Sequence, residues 1–347
     1  MVPATQSPSA RFWRSLEGGA VACGLCPRRC RLREGQRGYC LMRGNEGGAM
    51  VLRGPGRSSG LCADPIEKKP LYHFLPGTQV LSLGTLGCNL GCRFCQNWDI
   101  SRASAEALLT DGAAPEAVAR MALARRCRGV AFTYNDPVVF HEQAVDTAQA
   151  CRELGLATVA VTAGYQCPEP RAEFYRHMDA VNIDLKGITD GFYRRYCAGR
   201  LGPVLDTLKY VRRETRTWLE VTTLLIPGAN DSPAELDALT GWVADNLGPD
   251  VPLHFTAFHP AWKLTALPPT PAATLLEARN TGLRNGLRHV YLGNVREPEG
   301  SATVCAGCGH LLIGRDGYRL TRWDLTPRGD CVRCGTSLPG VFGADPG

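Results

Sequence analysis

From about residue 80 to residue 295, short β-branched or apolar runs alternate with longer stretches of helical periodicity, and this alternation constrains the fold more than any other feature. The runs are VLSLGTLGC, GVAFTYN, TVAVTAG, AVNIDLK, WLEVTTLLIPG, PLHFTAF and HVYLGNV. Between them, PEAVARMALARRC and VVFHEQAVDTAQACRELG carry apolar residues at helical spacing. SPAELDALTGWVADNLG opens on Ser232 as an N-cap, with Glu235 three residues on. Strand then helix, repeated six or seven times, predicts an α/β fold with a parallel sheet, a partial (β/α)6 TIM-like barrel. In such folds the loops at the C-terminal ends of the strands build the site. Cys88 follows the first strand directly.

Cysteine usage is the second constraint. The 347 residues include 16 cysteines. The N-terminal stretch MVPATQSPSARFWRSLEGG has no apolar signal region, and no apolar run approaches the ~20 residues of a membrane helix, so the expected compartment is the cytoplasm. A reducing compartment does not maintain disulfides, so metals explain the cysteines better. The net charge of +6 is spread without a long basic block, which gives no support to nucleic-acid or membrane partners. Eleven cysteines form three groups: 23/26/30/40, 88/92/95 and 305/308/331/334. Cys62, Cys127, Cys151, Cys167 and Cys197 stand alone and read as small buried hydrophobes. The groups divide the chain into a Cys-rich metal-binding segment (1–79), a core barrel (80–298) and a C-terminal module (299–347).

Cys88, Cys92 and Cys95 have C-x3-C-x2-C spacing, which lets one short loop curl around an iron–sulfide cube and give three thiolates to three of its four irons. One iron is then left open to another ligand. Gly87 and Gly91 allow close backbone approach, and Phe94 is placed to shield the cluster. The alternatives are a zinc knuckle that borrows a fourth ligand, or three core cysteines; placement at the end of the first strand favours the cluster.

These residues resemble the signature of the radical S-adenosylmethionine (SAM) superfamily. The wider stretches DPIEKKPLYHFLPG and GCNLGCRFCQNWDIS, together with CGLCPRRCRLREGQRGYC, TYNDP, NIDLKG, EVTTLLIPGANDS, PLHFTAFHP and HVYLGNV, resemble AmmeMemoRadiSam system radical SAM enzymes, relatives of the pyruvate formate-lyase activating enzymes. The resemblance implies a barrel of the radical SAM type holding a [4Fe–4S] cluster on Cys88, Cys92 and Cys95. It also implies that SAM chelates the open iron and is cleaved reductively to methionine and a 5′-deoxyadenosyl radical, which abstracts hydrogen from a protein or peptide substrate. Flavodoxin or ferredoxin would donate the electron, and Memo-type and AMMECR-type proteins would be partners. Tyr134, Asn135 and Asp136 occupy the place where activating enzymes carry a Gly-Gly-Glu element that contacts SAM. Thr162 and Gly164 end the third strand, with Ala163 where relatives more often carry Asn. Asp184 and Lys186 match the Asp-Leu-Lys element that flanks SAM, and His259 follows the sixth strand. The bland readings are a turn at Asn-Asp-Pro, a structural ion pair and a packing histidine. Asn230 and Asp231 either contact a ligand or cap the next helix.

Cys305-x2-Cys308 and Cys331-x2-Cys334 have zinc-ribbon spacing, in which each pair makes a knuckle and four thiolates close a structural zinc site. Cys23, Cys26, Cys30 and Cys40 suit zinc or an auxiliary iron–sulfur cluster; the irregular last spacing inclines to zinc. The competing functions are radical chemistry on a small molecule and a non-catalytic multi-zinc scaffold.

Overall fold

The computed structural model describes residues 9–343. The chain divides into two compact units. One comprises the chain through Ala63, Val80–Gly91 and Cys95–Asp179; the other comprises Asp64–Gln79, Cys92–Phe94 and Ala180 onward.

The first unit carries β1 (Gln79–Gly84), β2 (Gly129–Phe132) and β3 (Ala157–Thr162). They pair in parallel, Val80 opposite Gly129 and Gly129 opposite Ala157. All four residues of β2 are buried. Crossover helices cover parallel strands on both faces, so such strands read as continuous apolar runs. The crossover helices expected from periodicity span Pro115–Ala124 and His141–Glu153. The first begins on a proline, whose missing N–H costs nothing at that position.

The N-terminal segment, where periodicity is weak, folds as a three-stranded antiparallel sheet of Trp13–Ser15, Val21–Cys23 and Arg31–Leu32. A hairpin of Arg43–Glu46 and Ala49–Leu52 follows. Within this unit the Arg43 guanidinium pairs with the Glu142 carboxylate, each about 1% exposed. Glu142 also accepts the Arg11 N–H at 2.7 Å. Losing one member of a buried pair of this kind costs about 3–5 kcal/mol.

The second unit carries β4 (Ala180–Asp184), β5 (Trp218–Leu225), β6 (Leu253–Ala257) and β7 (Val290–Gly293), parallel and paired in that order. Ser232 caps helix Pro233–Leu247 as expected, its hydroxyl accepting the Glu235 N–H at 3.3 Å. A three-stranded antiparallel sheet of Thr303–Val304, Leu311–Asp316 and Arg319–Trp323 forms the C-terminal module. The fold is therefore α/β with parallel strands and a small C-terminal sheet flanked by cysteine-bearing turns. Among the described residues no helix is long and apolar enough to cross a membrane.

Candidate functional site

Within the first unit, Cys88 lies in the loop leaving β1, and the Leu90 N–H points at its sulfur at 3.5 Å. Cys95 Sγ lies 3.7 Å from Ser101 Oγ, at the end of a short helix Trp98–Ser101. Asn135 fixes the backbone that leads into Cys88. Its amide oxygen accepts the Thr85 N–H at 3.0 Å, while Nδ2 donates to the Leu86 carbonyl at 3.0 Å and to the Gly87 carbonyl at 2.8 Å. Gly87 is a requirement of packing, since φ is 74° and an added Cβ would lie 1.8 Å from the Cys40 carbonyl oxygen. The close approach expected at Gly87 is thus to the backbone at Cys40.

The other first-unit candidates form a linked set at the ends of β2 and β3. Asp136 is 4% exposed and accepts from Thr162 Oγ1 at 3.0 Å, the Ala163 N–H at 2.9 Å and the Val138 N–H at 3.0 Å. Ala163 therefore contributes its backbone N–H to this set, a role open to any residue but proline. Gly164 has φ of 63°, and its N–H reaches Thr162 Oγ1 at 3.1 Å. Tyr134 adopts φ of 71°, rare for a residue with Cβ, and its carbonyl accepts from Asn97 Nδ2 at 2.8 Å. Strained backbone at a strand end is a feature of ligand sites. Cys127, Cys151 and Cys167 are buried as expected.

In the second unit, Asp184 and Lys186 form an ion pair at 2.7 Å, with side chains 30% and 15% exposed. Burial works against the Lys186 charge, but Asp184 and the neighbouring Cys92 and Cys197 sulfurs outweigh it and hold the ammonium well above the usual lysine range. The Lys186 N–H reaches Tyr193 Oη at 3.1 Å, and its carbonyl accepts from Asn230 Nδ2 at 2.9 Å. Asn230 thus braces the β4 loop, and Ser232 does the capping. Phe94 is buried near Phe192, with ring centroids 6.2 Å apart. His259 is exposed, just after β6.

Cys92 raises a residue that sequence reasoning treated as core filler. Its thiol hydrogen-bonds Cys197, and that bond, with burial, pushes it well above the ordinary thiol range. Cys197 ends a π-helical turn, Tyr193–Cys197. Such turns cluster at functional sites; an isolated cysteine far along the sequence gave no signal. Cys197 is buried as expected; Cys62 is the correction, being exposed at a position where a buried hydrophobe is expected.

The C-terminal cysteines converge. Cys305 and Cys334 sulfurs lie 3.5 Å apart, those of Cys308 and Cys331 3.8 Å, and all four fall within 4.8 Å of one another. Hydrogen bonding to Thr336 pulls the Cys334 thiol below the ordinary thiol range. This donor set can hold one metal ion. The N-terminal cysteines Cys23, Cys26, Cys30 and Cys40 line a single small cavity.

The chain is similar to several known proteins. The Radical SAM superfamily profile matches residues 83–239. The chain is 44% identical over 306 residues to "Uncharacterized protein MJ0808" of Methanocaldococcus jannaschii, covering 88% of this chain and 91% of that protein. It is 26% identical over 156 residues to the pyruvate formate-lyase-activating enzyme of Clostridium pasteurianum, 44% of this chain and 64% of that one. Among solved structures, SuiB of Streptococcus suis bound to S-adenosylmethionine matches with a TM-score of 0.48 at 14% identity, over 65% of this chain and 52% of that one. With its cysteine loop inside the matched segment, the chain belongs to the radical SAM superfamily.

Proposed function

We propose that this protein cleaves SAM reductively on a [4Fe–4S] cluster held by Cys88, Cys92 and Cys95, and abstracts hydrogen from a protein or peptide substrate in the manner of activating enzymes. The observation that carries the reading is the loop itself: three cysteines in cluster spacing directly after β1, on backbone held by Asn135. Three thiols and no fourth in the loop suit a cluster with one open iron. When bound, the cluster and SAM supply one-electron cleavage of a sulfonium and, through it, hydrogen abstraction from an unactivated C–H bond.

The chain's own part is positioning. Asn135 fixes the entry to the loop, so Cys88 is presented without rearrangement. Asp136 ties the end of β3 to that of β2 through Thr162 and Ala163. Tyr134, Asn135, Asp136, Thr162 and Gly164 are thereby SAM-binding candidates as a braced set. Lys186 remains cationic beside a partly exposed Asp184, which suits a ligand carboxylate and hydroxyl. His259 is the remaining candidate. The four C-terminal thiolates suit zinc in a closed structural site. A flavodoxin or ferredoxin supplies the electron, and Memo-type and AMMECR-type proteins are the candidate partners.

The test is anaerobic turnover with SAM and a chemical reductant. Wild-type protein yields 5′-deoxyadenosine and methionine; Cys92→Ser yields neither, while its C-terminal metal stays in place. Zinc without iron in the wild-type protein, and no 5′-deoxyadenosine, would select the multi-zinc scaffold instead.

A further inference from the structure

The two flanking cysteine quartets differ in how far apart they hold their sulfurs. Cys305, Cys308, Cys331 and Cys334 keep all four within 4.8 Å of one another. A tetrahedral ion with metal–sulfur bonds of about 2.3 Å sets its sulfurs about 3.8 Å apart, so this quartet has single-ion spacing. Cys23, Cys26, Cys30 and Cys40 line one cavity. Yet among the described residues the C-terminal group alone brings three or more such donor atoms within that distance. The N-terminal sulfurs are therefore not drawn together to single-ion spacing. In a four-iron cube each thiolate binds its own iron at a separate corner, which sets the sulfurs further apart than any single ion does.

The cavity wall fits such an occupant. Leu25, Leu32, Val138 and Val139 supply apolar wall. Arg43 also lines it, with Nη1 4.0 Å from Cys23 Sγ and a buried Nε that has no hydrogen-bond partner. An orphaned buried donor is destabilising, and a cluster sulfide or thiolate is an acceptor that satisfies it. The remaining wall includes Asn89, whose carbonyl accepts from Arg28 Nε. The Cys40 carbonyl packs on Gly87, so the quartet abuts the residues on either side of Cys88.

We propose that Cys23, Cys26, Cys30 and Cys40 bind a second iron–sulfur cluster of the four-iron type in place of the zinc ion toward which their sequence spacing inclines. The assignment rests on this quartet alone, whatever the Cys88 loop holds. The test is anaerobic iron, sulfide and zinc determination, with electron paramagnetic resonance after reduction, on the Cys88→Ala/Cys92→Ala/Cys95→Ala protein. The expected result is about four irons and four sulfides per chain with a reducible signal, and one zinc. Two zinc ions, or one zinc and no iron, would overturn it. Should that variant not fold, wild-type protein decides: about eight irons support the second cluster, and about four irons with two zincs remove it. A Cys23→Ser/Cys30→Ser protein should then lose half of the wild-type iron. Failure of the proposed function looks different, as equal iron in wild type and in the triple variant.

Discussion

In the second unit, the two ends of the parallel strands handle charge in opposite ways. Near the start of β5, Glu220 is fully buried and accepts hydrogen bonds from the Tyr72 and His73 N–H groups, Trp218 Nε1 and His254 Nε2. Burial works against its charge, but the His254 hydrogen bond and the neighbouring groups hold its carboxyl below the usual range. At the end of β4, Asp184 and Lys186 satisfy each other while both remain partly open. A closed network gives a ligand nothing to bind and is costly to break; an open pair is the reverse. In this unit the buried polar group near the strand start is closed within the fold, whereas the Asp184–Lys186 pair at the strand end stays open to a ligand.

The strongest way to break this contrast is Glu220→Ala. It leaves three N–H donors and His254 without their acceptor in a buried site. The expected loss is about 3–5 kcal/mol, read as a lower denaturant midpoint. A loss under about 1 kcal/mol would mean that the network is not closed.

Much of the fold was legible in the sequence for a local reason: each of the seven strands announces itself as a short apolar run, and Ser232 with Glu235 announces a helix start. The Cys88 loop and the C-terminal pairs were legible because their donors lie a few residues apart. Glu220 and Cys197 were not, because what they do depends on partners such as Tyr72 and Cys92, more than a hundred residues away. Nor could spacing show that, among the described residues, only the C-terminal quartet draws its sulfurs to within 4.8 Å of one another, since Sγ separation is set by the fold and not by the count of intervening residues. Asn135 and Asp136 stand out as site candidates in the sequence, but the bonds by which Asn135 braces the Cys88 loop and Asp136 ties β3 to β2 join residues far apart in the chain.

Acid sharpens the contrast at the strand starts. His73 Nδ1 faces the Pro339 carbonyl at 2.7 Å and so must donate, which leaves Nε2 to accept from Tyr291 Oη at 2.6 Å. The ring is thus held neutral. Burial, with His289 nearby, pushes His73 down to about 3, and burial pushes His289 down to about 4. The unfolded chain takes up these protons near pH 6.5, and the folded chain does not. The stability they confer is complete above that pH and falls as pH drops toward the folded values. Between pH 6.5 and 5, before most carboxylates titrate, unfolding free energy should fall by up to about 1.4 kcal/mol per pH unit for each histidine. His73→Gln should reduce that slope by one proton; an unchanged slope would place the titration elsewhere.

The smallest effect on stability belongs to the strand ends. Lys186→Met keeps the apolar stem and removes the ammonium, and Asp184, 30% exposed, turns to water. Folding free energy should change by about 1 kcal/mol or less. If Lys186 holds a carboxylate of SAM, the lost charge-assisted hydrogen bond weakens SAM binding by about ten- to hundredfold, the equivalent of about 1.5–3 kcal/mol. Calorimetric titration with SAM separates the two readings. Unchanged affinity together with a large loss of stability would make Asp184 and Lys186 a structural pair like those at the strand starts, and the contrast between the two ends would disappear.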